Sequence, residues 1–324
     1  MPHAIRIHET GGAEVLRWDE FDAGAPGPGE VRLRQTAIGA NFLDIYHRAG
    51  THHMPLDPLP AVPGVEGAGV VEAVGTGVAE VEAGDRVAYP ITVGSYAEIR
   101  IIPAAQLVPL PDEVADDVAA AVILKGLTAE VLLRRTTQIA AGDEILVHAA
   151  AGGVGLILCQ WAKHLGATVI GTVSTDEKAE LARRYGCAHV INYSHEDFVS
   201  RVQDITSGRG VRAVFDAVGK DTFLGSLACV ASSGTLASYG LASGPLPPFG
   251  FADLPMSAYL TRASVRSVTE SRETLLQSAA ALFDALRTGA VEPVISARYP
   301  LSQAAEAHVA LETRRTTGSL ILEP

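Results

Sequence analysis

A glycine-rich turn is the segment whose spacing most directly predicts chemistry. Residues 145–174 read ILVHAAAGGVGLILCQWAKHLGATVIGTVS, and Ala150, Gly152 and Gly155 fill the three positions of a dinucleotide-binding turn. An apolar strand precedes the turn and a helix follows it, so the N–H groups that open the helix would face an anion. The turn predicts a pyrophosphate site, although alanine replaces the first glycine. A tight strand-to-helix turn without a ligand is the alternative.

A helical segment at 41–50, NFLDIYHRAG, offers polar groups for the reacting end of a substrate. If a nicotinamide supplies a hydride, the protein must orient it and stabilise charge on the acceptor. Tyr46 could donate a hydrogen bond or a proton to a reduced oxygen; packing against the cofactor ring is its alternative role. Asp44 and Arg48 stand at i and i+4 and are expected to pair with each other.

Composition and charge limit the function classes. The chain has 324 residues, 48% of them hydrophobic and 19% charged, a balance typical of a globular protein. A net charge of −12 argues against nucleic acid or an anionic membrane as the main partner. Neither a membrane-spanning run nor a signal peptide is visible, so a cytoplasmic location is expected. Cys159, Cys187 and Cys229 are spaced wrongly for zinc, and Cys159 is expected to be a buried thiol.

The elements that must position these groups suggest an α/β protein of two domains. Short strand patterns separated by turns occupy residues 1–122 and predict a small β-barrel. From residue 123, strands and helices alternate, which predicts a parallel, doubly wound sheet. The segment after residue 257 lacks a core of its own and is expected to rejoin the first domain. The predicted limits are therefore 1–122 and 258–324 for one domain and 123–257 for the other.

Individual elements follow from the same patterns. The predicted strands are 5–7, 31–36, 69–74, 86–89, 145–148, 168–173, 189–192, 211–218, 234–239, 262–268 and 319–324. The predicted helices are 41–50, 176–185, 196–206, 221–231 and 273–288.

Five stretches together resemble the zinc-free quinone oxidoreductase branch of the medium-chain dehydrogenases/reductases, the group that includes zeta-crystallin. They are NFLDIYHRAG (41–50), PGVEGAGVVEAVGTGV (63–78), GDRVAY (84–89), LKGLTAEVLL (124–133) and HAAAGGVGLILCQWAKHLGA (148–167). The resemblance covers nearly the whole chain, and bacterial NADPH:quinone oxidoreductases are the most similar members. It implies a GroES-like β-barrel catalytic domain, a Rossmann domain and a cleft between them that holds NADPH.

The same comparison predicts a site without metal. Zinc-dependent relatives carry Gly-His-Glu where this chain has Gly64-Val65-Glu66, and valine cannot bind a metal. The cysteine cluster of their zinc lobe is missing as well. His52-His53 lies in a proline-flanked loop without thiolate partners and is not expected to be a ligand site. Charge stabilisation must then come from hydrogen-bond donors.

NADPH is predicted in preference to NADH. NAD enzymes usually place an acid after the second strand, but this chain has Ser174 there and Lys178 one helical turn later. An ordinary surface lysine is the alternative for Lys178, and Asp176 and Glu177 are expected to face solvent. The resemblance adds Tyr193 and Arg314 around the adenosine phosphate.

The resemblance also assigns residues to the nicotinamide end. Asn41 and Tyr46 match positions that line the nicotinamide pocket, and Thr128 looks like a contact on the nicotinamide side. Strand ends that face the ligand add further candidates. The predicted catalytic residues are Tyr46 and Asn41. The predicted cofactor-binding residues are Asn41, Thr128, Gly152, Gly153, Val154, Gly155, Ser174, Lys178, Tyr193, Asp216, Gly219, Tyr239, Gly240 and Arg314.

Three functions fit the sequence. The first is NADPH-dependent reduction of small quinones, which accept a hydride without a metal because the aromatic product stabilises its own charge. The second is reduction of the C=C bond of an enal or enone, which uses the same donors. The third is nucleotide-regulated RNA binding or a structural role, as in some zeta-crystallins; the acidic charge counts against it. The resemblance also implies a homodimer joined at a sheet edge, with the predicted strand at 262–268 as the candidate.

Overall fold

The computed structural model describes residues 1–51, Leu56 and residues 58–324. They form two compact units. Unit 1 comprises Met1–Leu127, Val268–Phe283 and Pro293–Pro324, and unit 2 comprises Thr128–Ser267 and Asp284–Glu292. The predicted domain limits stay a prediction, because a compact unit is defined by its internal contacts and a domain by independent folding.

The described residues fold into strands and α-helices, which are numbered in chain order. The strands are β1 His3–Ile7, β2 Leu16–Glu20, β3 Glu30–Ala40, β4 Glu66–Val74, β5 Arg86–Tyr89, β6 Ile99–Pro103, β7 Val108–Pro109, β8 Glu144–Val147, β9 Thr168–Val173, β10 His189–Asn192, β11 Val211–Asp216, β12 Val230–Ser238, β13 Tyr259–Arg262, β14 Ile295–Pro300 and β15 Ser319–Glu323. The α-helices are α1 Phe42–Arg48, α2 Asp116–Glu130, α3 Gly153–His164, α4 Asp176–Arg184, α5 Phe198–Thr206, α6 Phe223–Cys229, α7 Arg266–Thr269, α8 Arg272–Arg287 and α9 Ala304–Glu312. None of the helices in these described ranges is both long enough and apolar enough to cross a membrane.

Unit 1 is built on a mostly antiparallel sheet. Its strands run in the order β14-β15-β3-β4-β5-β7, with β6 also paired to β3, and only the β14–β15 pair is parallel. Ile45 of α1 belongs to the same buried cluster as Ala307 and Leu311 of α9 and Leu320 of β15. This apolar contact fixes α1, the helix that carries Tyr46, against the sheet.

Unit 2 contains a six-stranded parallel sheet in the order β10-β9-β8-β11-β12-β13. Counted from β8, this is the order 3-2-1-4-5-6 of the doubly wound dinucleotide-binding fold, which confirms the predicted fold class. From β8 to β10 the strands are added on one side of β8, and from β11 onward they are added on the other side, so the strand order reverses between β8 and β11. In such sheets ligands bind at that point, beyond the carboxyl ends of the strands.

Most predicted elements are confirmed, and one is wrong. Strands are found at every predicted place except 262–268, where the chain forms α7 instead. Ser264 ends the strand run, because its hydroxyl and carbonyl oxygens accept hydrogen bonds from the N–H groups of Arg266 and Ser267 (both 3.2 Å). The edge strand is β13, which pairs with β12. Helix α2 has no counterpart among the predicted elements.

Candidate functional site

The turn between β8 and α3 is shaped by close contacts of its own backbone. Helix α3 is capped at Gly152, whose N–H donates to the carbonyl of Ala149 (2.9 Å). A Cβ on Gly155 would overlap that carbonyl, and one on Gly152 would lie 3.2 Å from it. Glycine therefore lets the turn fold tightly onto the helix. The first N–H groups of the helix have no acceptor within it, which suits a phosphate.

Alanine in the first position of the motif is accommodated by a neighbouring strand. Ala150 is fully buried, and its N–H donates to the carbonyl of Thr172 in β9 (3.0 Å). A Cβ on Gly171, the residue before Thr172, would lie 2.7 Å from the Cβ of Ala150. Because Gly171 has no Cβ, there is room for the Cβ of Ala150. Alanine can therefore replace the first glycine of the motif.

Most of the other unit 2 candidates lie at the carboxyl ends of the strands of the parallel sheet. Ser174 follows β9, Tyr193 follows β10, and Tyr239 and Gly240 follow β12. The Ser194 hydroxyl donates to the carbonyl of Ser174 (2.8 Å), which joins the ends of β9 and β10. Because the strands are parallel, these ends lie on the same side as the turn before α3.

Lys178 lies in the first turn of α4, where a 2′-phosphate is expected. Its backbone N–H is capped by the hydroxyl of Thr175 (3.3 Å). Asp176, expected to face solvent, is exposed, and its carboxylate accepts a hydrogen bond from the Asn192 amide (2.9 Å). Tyr193 is 44% exposed. Tyr193, whose N–H donates to the carbonyl of Val173 (3.0 Å), and Lys178, which is partly buried, thus both lie close to the end of β9.

Asp216, a predicted cofactor-binding residue at the end of β11, uses its carboxylate for hydrogen bonds within unit 2. It is fully buried, and its carboxylate accepts hydrogen bonds from the N–H groups of Val218 and Gly219 and from the hydroxyls of Thr222 and Ser226 (2.8–3.0 Å). Its role is to hold the turn at Gly219. A Cβ on Gly219 would lie 2.8 Å from the carbonyl of Gly244.

His148, a buried histidine that was not among the predicted site residues, stabilises the carboxyl end of the unit 2 sheet. His148 contacts the hydroxyls of Thr172 and Ser226 through Nδ1 and Nε2 (both 2.9 Å). Ser226 donates its own proton to Asp216, so Nε2 of His148 must be the donor to Ser226. Burial lowers the pKa of His148, whereas the charge of Asp216 acts in the opposite direction. The network ties β8, β9 and β11 to α6.

Unit 1 contains a second buried polar network, which begins at Asn41. This residue caps α1 and is 9% exposed. Its side-chain amide donates to Oε1 of Glu66 (2.9 Å), and its backbone N–H donates to Oδ2 of Asp44 (2.8 Å). Two fully buried carboxylates therefore hold Asn41 at the start of the helix that carries Tyr46.

Glu66 is balanced by a buried cation. Lys125 forms an ion pair with Glu66 Oε1, and its side chain is 6% exposed. The other carboxylate oxygen of Glu66 accepts from the N–H of Leu124 (2.9 Å). Val65, the residue that replaces the expected metal ligand, is fully buried.

The expected pairing of Asp44 with Arg48 is wrong. Arg48 donates to the Gly11 carbonyl, to Nδ1 of His308 (3.2 Å) and to Glu312 (2.6 Å). Asp44 Oδ2 instead accepts from the Tyr96 hydroxyl (3.0 Å). The i, i+4 spacing did not predict the pairing correctly, because the guanidinium of Arg48 instead binds a histidine and a carboxylate of α9.

The direction of these hydrogen bonds is fixed by Arg48. Arginine has no acceptor, so Nδ1 of His308 accepts and its proton sits on Nε2. Nε2 then donates to the Tyr96 oxygen (2.9 Å), which leaves the Tyr96 hydroxyl to donate to Asp44. Oδ1 of Asp44 is buried and has no hydrogen-bond partner among the described residues. Burial raises the pKa of Asp44 to about 7, and burial together with Arg48 lowers the pKa of His308 to about 3.

The three remaining candidates, Tyr46, Thr128 and Arg314, lie in α1, in α2 and just after α9. Tyr46 is partly buried and its ring lies 6.4 Å from that of Phe42. Thr128 lies in α2, at the first residue of unit 2. Arg314 is exposed in unit 1, just after α9, with a left-handed φ of +55°.

The histidines and cysteines of the described part of the chain are candidate metal ligands and thiols. No group of three or more metal-ligating side chains occurs there. His52 and His53 lie outside the described residues. The three cysteines are buried, as expected for Cys159, whose Sγ lies 3.3 Å from that of Cys187.

Comparison with known proteins gives consistent matches. The alcohol dehydrogenase GroES-like domain family matches residues 27–112, and the zinc-binding dehydrogenase family matches residues 153–284. The quinone oxidoreductase of Pseudomonas aeruginosa is 46% identical over all of both chains. A 2-haloacrylate reductase from a Burkholderia species is also 46% identical, over 100% of this chain and 99% of the relative.

A solved structure supports the same relationship. The Escherichia coli quinone oxidoreductase complexed with NADPH superposes with a TM-score of 0.96 at 42% identity, and it covers 99% of this chain and 100% of its own.

Proposed function

Because the chain belongs to the quinone oxidoreductase family of the medium-chain dehydrogenases/reductases, we propose that it is an enzyme that reduces quinones with NADPH. The observation that carries the proposal is the open N-terminus of α3 at the switch point of a 3-2-1-4-5-6 sheet. NADPH bound there would supply a hydride. A quinone accepts it without a metal, since the product is aromatic.

The residues of each unit have separate tasks in this proposal. The N–H groups of Gly153, Val154 and Gly155 bind the pyrophosphate. Ser174 and Lys178 bind the 2′-phosphate, which a carboxylate at the end of β9 would repel. Tyr193 and Arg314 are assigned to the same phosphate by resemblance only.

The nicotinamide end is assigned to Asn41, Tyr46 and Thr128. Asn41 is held rigidly by Glu66 and Asp44, as an orienting residue must be. Tyr46 provides a hydroxyl that can donate to a reduced oxygen. Asp216 acts through the turn that it holds.

Reduction of an activated C=C bond is the second candidate. The 46% identical relative from Burkholderia is named a 2-haloacrylate reductase, so closely similar chains act on an unsaturated acid. A hydride delivered to the β-carbon would need the same stabilisation of charge on a conjugated oxygen.

Acceptor profiling tests the proposal and separates the candidates. The purified protein is mixed with NADPH and, in turn, with quinones, enals and 2-chloroacrylate, while absorbance at the NADPH band is followed. We expect kcat/KM to be highest for quinones. Oxidation of NADPH by none of these acceptors would refute both candidates, and a preference for enals or 2-chloroacrylate would replace the first by the second.

We also propose a homodimer in the cytoplasm. Strand β13 ends the sheet order of unit 2, and its Tyr259 is 65% exposed. An uncovered edge of this kind favours pairing with a second copy. Light scattering should give twice the chain mass, and a monomer at all concentrations would refute the dimer.

A further inference from the structure

Three cations of unit 1 have buried side chains in the described part of the chain: Arg48, Arg100 and Lys125. Arg48 is committed to His308, Glu312 and a backbone carbonyl. Arg100 donates to the carbonyls of Thr92 and Val93 and lies over the ring of Tyr89. Lys125 differs from both arginines, because it is bonded to the carboxylate that also orients Asn41.

The surroundings of Lys125 place a positive charge beside the proposed reacting end. Its ion-pair partner Glu66 is fully buried, whereas Lys125 and Asn41 keep 5% and 9% exposure. Lys125 and Asn41 therefore retain the exposure of this three-residue network, and Glu66 Oε1, which bonds to both of them, joins the ammonium to the amide. An ammonium has three N–H donors, and Glu66 Oε1 takes one of them.

We infer that Lys125 is a catalytic residue whose ammonium stabilises the negative charge that develops on the acceptor oxygen. The inference rests on the proposed function. Reduction of a quinone transfers a hydride, which is two electrons and one proton, from NADPH and leaves NADP⁺ and a hydroquinone anion, which one further proton from solvent converts to hydroquinone. The proton comes from solvent and not from Lys125. Its charge supplies the stabilisation that a metal ion would otherwise provide.

The ion pair can be removed without leaving an unpaired buried charge. Removing the Lys125 side chain alone would leave Glu66 as an unpaired buried carboxylate, which would destabilise the fold. Replacing both partners by neutral residues of similar volume is often tolerated. The main variant is therefore the double change Lys125→Met with Glu66→Gln. Lys125→Arg keeps the cation, and Glu66→Gln alone keeps the cation and removes the carboxylate. The matched control is Arg86→Met with Asp116→Asn, another ion pair of unit 1 (2.6 Å).

Stopped-flow transfer from saturating NADPH to a weakly and a strongly oxidising quinone measures the effect. The double variant should lose about 100-fold or more with the weak acceptor and less than about tenfold with the strong one. Lys125→Arg should recover most of the rate, Glu66→Gln should lose less than the double variant, and the control pair should stay within about twofold. Losses in Glu66→Gln equal to those of the double variant would overturn the inference, because the carboxylate alone would then explain them.

A binding measurement that needs no turnover completes the test. 4-Nitrophenol, a product-like phenol whose anion absorbs visible light, is titrated with pH in the presence of NADP⁺. The wild type should bind the phenolate at least about tenfold more tightly than the double variant does, while both bind NADPH equally in fluorescence titrations. Equal phenolate affinities, including no binding by either protein, would overturn the role of Lys125. A wild type without NADPH:quinone activity would instead refute the proposed function and, with it, this inference.

Discussion

The glycine turn of unit 2 and the Asn41 network of unit 1 are built by opposite means. The turn uses backbone N–H groups and lacks charged side chains, and its parts lie within eight residues of sequence, from His148 to Gly155. The network uses ionisable side chains, most of them buried, that come from α1, β4, α2 and α9. Its longest link in sequence, between Arg48 and Glu312, joins residues 264 positions apart.

The difference shows how each region tolerates change. A turn set by backbone contacts fails when one Cβ is added, because a carbonyl cannot move aside cheaply. A network of paired charges is sensitive to imbalance instead, since each partner depends on the others for its protonation and orientation. Steric substitutions therefore test unit 2 best, and changes of charge and pH test unit 1 best.

The largest effect is expected at Gly155. Gly155→Val should abolish NADPH binding and all activity, because its side chain would overlap the carbonyl of Ala149. NADPH fluorescence titration and circular dichroism measure binding and folding together. Gly250→Val is the matched control, since its Cβ has 3.8 Å to the nearest atom. Unchanged NADPH affinity in the Gly155 variant would show that the turn holds no phosphate.

The contrast also explains what the sequence could predict. The turn and the strands of unit 2 could be predicted because they depend on short-range sequence patterns of apolar residues and glycines, and not on contacts between distant residues. Helix α2 was missed because residues 119–127 are all buried, so its apolar side chains show no helical period. No local pattern could place His308 beside Arg48, because only the packing of α9 against α1 brings them together.

Tyr46 is expected to give the next largest effect. Tyr46→Phe removes one donor but keeps the ring, so the NADPH Kd should hardly change. Hydride transfer to an enal or weak quinone should fall on the order of 100-fold, and transfer to a strong quinone less than about tenfold. Tyr299→Phe, a partly buried tyrosine of the same unit, is the control. Equal, small losses for both acceptors would mean that Tyr46 only packs against the cofactor.

Lys178 tests the side-chain part of the unit 2 site. Lys178→Ala should raise the KM for NADPH by roughly 5- to 150-fold and leave the KM for NADH nearly unchanged, because one charge-assisted phosphate contact is lost. Steady-state kinetics with both cofactors measure the split. Lys163→Ala, an exposed lysine of α3, should change neither value. Equal losses for NADPH and NADH would remove Lys178 from the phosphate site.

The smallest effect concerns the pH dependence of unit 1. Burial raises the pKa of Asp44 from about 4 to about 7, so between these values the folded chain holds a proton that the unfolded chain has released. The contribution of Asp44 to stability is therefore complete below pH 4 and is lost as pH rises through 7. His308 has a lowered pKa and acts in the opposite sense, but only below its ordinary value of about 6.5.

Asp44→Asn isolates this contribution. Asparagine keeps an oxygen that can accept from Tyr96 and from the N–H of Asn41, but it cannot ionise. The free energy of unfolding of the wild type, minus that of the variant, should fall by about 1 kcal/mol between pH 6 and pH 8, since one proton is released over that interval. Urea unfolding at pH 6, 7 and 8 measures it. Asp284→Asn, an exposed carboxylate, should follow the wild type at each pH. Parallel curves for the wild type and Asp44→Asn would show that Asp44 is already ionised at pH 6, and that Tyr96 and Asn41 hold its charge despite the burial.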